Sequence, residues 1–218
     1  MPPVYGRPAS FAGGMVQNFG NNQILQQPLY DKINFSTVIP IGAQKLFQVQ
    51  KGANATLIRG AAAGSYQKSS RDTNMTVAGQ LPGQQAFLIR GISIDYIPVG
   101  QAVSTIFNQY ILEDILLLKN GMSVKLYINE IVYLEIPANV IPAQNPIIAT
   151  TANGNALATG VTGMGRENMY HIDPAITIPP ATSFHVDLEF DAPTSAVALA
   201  NTFDIQVFLH SHVSRPTG

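Results

Sequence analysis

The sequence predicts an all-β protein: an eight-stranded jelly-roll β-sandwich with one inserted helix at about residues 104–118 and an irregular N-terminal arm. Three observations carry that expectation. Alternation of apolar and other side chains with a period of two recurs along the chain and is clearest at Ser183–Phe190 and Phe203–Val213. Only one segment spaces its apolar residues as a helix does, so strands do not alternate with helices and a βαβ architecture is excluded. The strands are separated by long connections. An up-and-down barrel or propeller needs regular short hairpins, whereas a Greek-key arrangement of two sheets accepts long crossovers.

The elements follow in chain order. Residues 1–28 are rich in Gly, Asn, Gln, Ala and Pro, with Arg7 as their only charge, and no hydrophobic period holds. They form the arm, and 29–218 the jelly-roll domain. The arm reads either as a disordered tail or as one that orders against neighbouring subunits, and its Phe11, Met15, Val16, Phe19, Ile24 and Leu25, ill suited to a solvated tail, favour the second. From Leu29, the residues Ile33, Phe35, Thr37 and Ile39 alternate as a strand that stops at Pro40. Lys45–Val49 and Ala55–Arg59 read as two further strands. Gly60–Gln85 is small and polar and reads as a long loop, with Lys68, Arg71 and Asp72 close together and a Pro82–Gly83 turn. Ala86–Ile97 alternates, with Phe87, Ile89, Gly91, Ser93 and Asp95 on one side and Leu88, Ile92, Ile94 and Tyr96 mainly on the other. Ser104–Leu118 is the helix: Ile106, Phe107, Tyr110, Ile111, Asp114, Ile115 and Leu118 follow its spacing. Ser104 is placed to cap its start and Asn120–Gly121 to end it in a left-handed cap.

Ser123–Ile128 and Ile131–Ile136 are the next two strands, and their Asn129–Glu130 link lacks the Gly that marks the strongest hairpin turns. Thr150–Gly165, almost uncharged and full of Gly, Ala and Thr, reads as a second long loop. Met169–Ile172 and Ile176–Ile178 flank Asp173–Pro174. In Ser183–Phe190, Phe184, Val186, Leu188 and Phe190 point one way, and His185, Asp187 and Glu189 the other. Phe203–Val213 repeats the pattern, with Ile205, Val207 and Leu209 opposite Gln206, Phe208 and His210.

Composition narrows the function. The 218 residues are 46% hydrophobic but only 11% charged, less than half the usual charged share of about 25%. Twelve basic residues face thirteen acidic ones, for a formal net charge of −1. The basic residues form no cluster or aromatic-interleaved stripe, so direct nucleic-acid binding is not expected. A surface so poor in charge points to burial against other subunits. The absence of Cys excludes disulfides, thiolate metal sites and Cys nucleophiles. The first residues do not resemble a signal peptide, and the longest apolar stretch is too short to span a bilayer.

No catalytic, cofactor-binding or metal residues are assigned. His210 and His212 share a strand face and give at most two metal ligands; His185, Asp187, Glu189 or Asp204 could complete a set only from adjacent strands. Ser211 sits between the two histidines but points to the opposite face, so a Ser–His–Asp triad with Asp204 fails on geometry. Glu113–Asp114 diverge on the helix, and Glu130, Glu135, Asp187 and Glu189 do not converge as glycosidase carboxylates must. The glycines of 160–165 lack a following Gly-Lys-Ser/Thr and make no phosphate loop. Asn54-Ala-Thr56 and Asn74-Met-Thr76 match glycosylation sequons by chance.

The run Ile176-Thr-Ile-Pro-Pro-Ala-Thr-Ser-Phe-His-Val-Asp-Leu-Glu-Phe190, followed by Phe203-Asp-Ile-Gln-Val-Phe-Leu-His-Ser-His-Val-Ser-Arg-Pro216, resembles the last strands of phage virion proteins. Lys119-Asn-Gly-Met-Ser-Val-Lys-Leu-Tyr-Ile-Asn129 and Tyr133-Leu-Glu-Ile-Pro137 are similar in pattern, as are Thr73-Asn-Met75 and Gly79-Gln-Leu-Pro82. The chain thus resembles, over about 29–215, a single jelly-roll capsid protein of a tailless icosahedral DNA bacteriophage of the membrane-containing type. The resemblance rests on pattern and on no diagnostic motif. It implies a structural virion protein, a major capsid subunit that self-assembles through sandwich and arm contacts into trimers or hexamer-like capsomers. Other virion proteins and an internal viral membrane are the further partners it implies, with assembly in the host cytoplasm, no cofactor and no enzymatic activity. The alternatives are a phage spike, fibre or surface-adhesin module and, further off, a metal-dependent sandwich-fold enzyme using His210 and His212.

Overall fold

The computed structural model describes residues 17–19, 22–35, 39, 42–57, 64–99, 109–143, 147–153, 156–162, 168–191, 199–200 and 202–216. The strands are β1 (Gln17–Phe19), β2 (Asn22–Gln26), β3 (Leu29–Phe35), β4 (Gln44–Leu46), β5 (Asn54–Leu57), β6 (Gly64–Gln67) and β7 (Ala86–Pro98). Helix α1 (Gln109–Asn120) precedes β8 (Met122–Ile128) and β9 (Ile131–Pro137), and a 3-10 turn follows at Ala138–Val140. The chain continues through β10 (Ile147–Asn153), β11 (Ala156–Thr162), β12 (Tyr170–Ile178), β13 (Phe184–Phe190) and β14 (Phe203–Pro216). All pairings are antiparallel, and α1 is the one α-helix among the described residues, so the protein is all-β as expected.

Two main sheets form. In the first, β14 lies between β7 on one side and β2 and β3, end to end, on the other, while β7 pairs in turn with β12. In the second the order is β4-β13-β8-β9. Alternation decides which side chains face inward. Ile205, Val207 and Leu209 of β14, Ile92, Ile94 and Tyr96 of β7, Val124 and Leu126 of β8 and Val186 and Leu188 of β13 belong to one buried cluster between the sheets. Phe47 stacks obliquely on Phe184 there, ring centres 5.4 Å apart. Ile115 and Leu118 of α1 enter the same cluster, three residues apart on one helix face.

Several sequence expectations need correction. The described residues form fourteen strands, among them two hairpins, β5–β6 and β10–β11, that reach into the expected loops. The arm is regular at its end: β1 and β2 are strands, and β2 joins β14 through Asn22–Gln26, with Leu25 packed on the core. This stretch lacks an apolar period because its order comes from backbone pairing to β14. Thr150–Gly165 is no loop for most of its length, since β10 and β11 pair from Ile147↔Thr162 to Asn153↔Ala156. Gly64–Gln67, inside the other expected loop, pairs with β5. The two faces of β7 are also re-sorted. Phe87 and Ile89 share the core with Ile92, Ile94 and Tyr96, because a bulge at Arg90–Gly91 shifts the phase by one residue. A Cβ on Gly91 would lie 2.5 Å from Met169 Sδ and 3.0 Å from the Tyr170 carbonyl oxygen, so glycine suits this close approach.

Helix α1 ends at Asn120 with neither Asn120 nor Gly121 left-handed; the Gly121 N–H instead donates to the Leu117 carbonyl. The expected cap at Ser104 and the strand residues Thr37 and Pro40 lie outside the described residues. Asn129 and Glu130 both adopt positive φ, 49° and 63°, so the β8–β9 link is a tight primed turn even without Gly.

Candidate functional site

The charges that the sequence scatters gather at two places. One is the free edge of β3, covered by residues 69–74. Asp31 points to the core side, fully buried, and receives the Phe47 N–H at 2.5 Å and the Lys68 ammonium at 2.5 Å. Burial pushes the Asp31 carboxyl above its ordinary value, while Lys68 and the backbone donors pull the other way. On the opposite face of β3, Lys32 bridges Asp72 at 2.7 Å and Asp204 at 2.9 Å, and Asn34 also bonds Asp204. Burial alone would lower Lys32; its hydrogen bonds to the two carboxylates outweigh that and hold it above the usual ammonium range. Asp72 is held below its ordinary value: burial opposes this, but Lys32 and Ser69 outweigh it.

Backbone bonds fasten the same segment. Asn74 accepts from the Tyr30 N–H through its side chain and donates to Pro28, while its own N–H reaches the Tyr30 carbonyl. Asp31 and Thr73 form a single β-bridge. The segment therefore clasps the edge strand from both faces. Asn74, noted as part of a sequon, is a structural residue of this clasp, and Asn54 of the other sequon is exposed on β5.

The second gathering lies on the outer face of the β4-β13-β8-β9 sheet. Register places Lys45, Asp187, Lys125 and Glu135 side by side, one per strand, as a row of alternating sign. Lys125 bonds Glu189 at 2.7 Å and Glu135 at 3.3 Å, which raises its pKa. Asp187 is buried, with Oδ1 lying 3.6 Å from His185 Nε2; burial raises its carboxyl, against the lowering pull of His185 and Lys45. His185 stacks on Tyr127 at 4.7 Å.

Glu135 and Glu189 meet only across Lys125, and the histidines and Ser211 considered for a triad find separate partners. His210 Nε2 lies 2.8 Å from Ser93 Oγ, and Ser211 donates to the Gln27 carbonyl at 2.6 Å, so no triad forms between them. His212 is lowered by burial and by Arg90. Asp114 receives the Ala200 N–H at 3.1 Å, and Glu113 beside it is exposed. Among the described residues, no group of three or more His, Asp or Glu is placed to hold a metal ion. Sequence reading missed the clasp and the row because each joins strands far apart in the chain; Asn34 and Asp204 are 170 positions apart.

The edge strand β9 differs from its surroundings. Ile131, Val132 and Tyr133 are exposed in succession, Ile131 by 62%, and Val140 follows in the adjacent turn. Tyr133 has no opposite residue, because a bulge sets Val132 against Tyr127 and Leu134 against Leu126. No protein-family model matches the chain, and no curated protein is similar to it in sequence.

Proposed function

We propose that the chain is a single jelly-roll subunit of a virion shell, self-assembling into trimers or hexamer-like capsomers of a tailless icosahedral DNA bacteriophage. The strand order carries the jelly-roll reading. Set aside β1, β2 and the hairpins β5–β6 and β10–β11, and eight strands remain in two sheets, β3-β14-β7-β12 and β4-β13-β8-β9. The chain visits them as two nested Greek keys, with non-consecutive strands paired in the middle of each sheet.

Fold alone does not give function. The shell reading draws on the residues left at the surface: a chain only 11% charged places much of its charge in the clasp and the row, and leaves apolar side chains bare on β9. Such a patch on a soluble chain favours a protein partner. Self-association supplies one without a second gene product, and a near-neutral subunit suits a shell that does not bind the genome directly.

Sedimentation velocity and negative-stain microscopy of the full chain test this. Concentration-dependent capsomers, rings or closed particles are the expected result. A discrete oligomer that never extends favours the spike or fibre alternative, and a monomer at micromolar to millimolar concentration overturns the assembly reading.

A further inference from the structure

We infer that two copies of the chain meet head to tail, the β9 edge of one against the β4 edge of the next, with Glu135 of the first facing Lys45 of the second. This rests on the self-assembly reading above and adds the surface and the polarity of the contact.

The charge row is the first observation. Across the sheet it runs Lys45, Asp187, Lys125, Glu135, positive to negative to positive to negative. Its two ends lie on the two edge strands, and both end residues are exposed. The row therefore begins with an exposed cation and ends with an exposed carboxylate whose one inward partner is Lys125. A second copy placed beside the first continues the alternation without a like-charge neighbour.

Strand direction is the second. β4, β13, β8 and β9 are each antiparallel to the next. The outer two therefore run in opposite directions, and β9 beside the next copy's β4 keeps the alternation that the sheet already has. A two-fold contact of β9 with β9 instead sets Glu130 and Glu135 of both copies along one seam.

The third is the composition of the edges. Beside β9, Glu130 is exposed along with Ile131, Val132 and Tyr133. On the β4 side Lys51 is exposed with Lys45, and Val77 lies in the segment whose Gly79 N–H donates to the Phe47 carbonyl. One edge is acidic and apolar and the other basic with an apolar residue, the pairing that a heterologous contact needs. The bulge at Tyr133 and the three-residue length of β4 limit backbone pairing, so side chains carry the contact.

Charge exchange tests this on the full chain, with self-association followed by sedimentation velocity and folding by circular dichroism. Lys45→Glu and Glu135→Lys each set like charges across the contact, and each is expected to weaken association roughly tenfold while the chain stays folded. The double variant Lys45→Glu/Glu135→Lys is expected to recover most of the loss. Within one molecule it is worse than either single variant, since Glu at position 45 faces Asp187 and Lys at position 135 faces Lys125. Recovery therefore comes from the intermolecular contact. If the unmodified chain associates but the single variants do so equally well, or the double variant recovers nothing, the contact is wrong and the assembly reading stands. If the unmodified chain is monomeric throughout, both fall.

Discussion

The edge strands β3 and β9 are treated in opposite ways. β3 is fastened by a segment that bonds its backbone, and its own Asp31 and Lys32 pair with Lys68, with Asp72 of that segment and with Asp204 of β14. Among the described residues β9 has no such cover and presents Ile131, Val132 and Tyr133 to solvent. Two further edges are blunted by other means: β4 is three residues long, and β12 has its register broken around Asp173–Pro174. Exposed edges invite pairing with other chains, and folds suppress it by covering, shortening or breaking them. The difference teaches that paired charge closes one edge, while another is left with bare apolar side chains flanked by exposed Glu130 and Glu135.

The largest expected effect breaks the covered edge. Lys68→Met leaves the Asp31 carboxylate buried with only backbone donors. Losing one partner of a buried ion pair costs about 3–5 kcal/mol, so urea unfolding at neutral pH should show a fall of that order. A change below about 1 kcal/mol means that the pair does not hold the clasp.

Acid separates two of the three carboxylates of the clasp, Asp31 and Asp72. Asp31 has a folded pKa above its ordinary 3.8, so the native state holds its proton more tightly. Its contribution grows as pH falls through the folded value and is complete below 3.8. Asp72 has a folded pKa below 3.8; its contribution is present above that pH and lost as pH falls through the folded value. On acidification, Asp31→Asn should therefore lack the gain in stability that the unmodified chain shows as pH falls toward 3.8. Asp72→Asn should lack the loss of stability that follows as pH falls further, below 3.8. Difference curves with the same slope for both variants contradict this assignment.

The turn that leads into β9 offers a smaller effect of opposite sign. Glu130 sits at φ 63°, a conformation that costs an L-residue about 1 kcal/mol and glycine almost nothing. Glu130→Gly is expected to raise the unfolding midpoint, with a gain of about 0.5–1 kcal/mol. An unchanged or lower midpoint means the turn is held by contacts of the Glu130 side chain.

How much of this was legible in the sequence depends on where the order originates. β13 and β14 were readable because Phe184–Phe190 alternates throughout and Phe203–Val213 does so apart from Phe208 and Ser211; in β13 the polar phase, His185 and Asp187, is nonetheless buried as well. The bulge in β7 was not, although Gly91 marked the place, since a single extra residue leaves the composition unchanged and only moves the phase. The hairpin β10–β11 was hidden by its small residues. Its signal was the Asn153–Gly154 pair beside β-branched Thr150, Thr151 and Thr159. β2 and the clasp could not be read at all, because Asn22–Gln26 and residues 69–74 are ordered by distant strands and have no period of their own. Of the charge row, the alternation of His185, Asp187 and Glu189 on one face was visible, but its partners Lys45, Lys125 and Glu135 depend on strand order.

The smallest expected change in stability falls on the bare edge and does most to sharpen the contrast. Ile131 and Tyr133 lie more than half exposed. Replacing them by serine removes little buried area, and surface substitutions of this kind usually stay within about 0.5 kcal/mol. Ile131→Ser/Tyr133→Ser should therefore unfold at nearly the same urea concentration as the unmodified chain. Removing those side chains from an intermolecular seam is different, because their apolar area is then lost from a contact that buries it. The double variant should remain folded yet associate more weakly in sedimentation velocity, the inverse of Lys68→Met, which attacks folding first. If it is strongly destabilised as a monomer, β9 is part of the molecule's own core and the contrast between the edges fails. If stability and association are both unchanged, the exposed apolar residues are incidental to assembly.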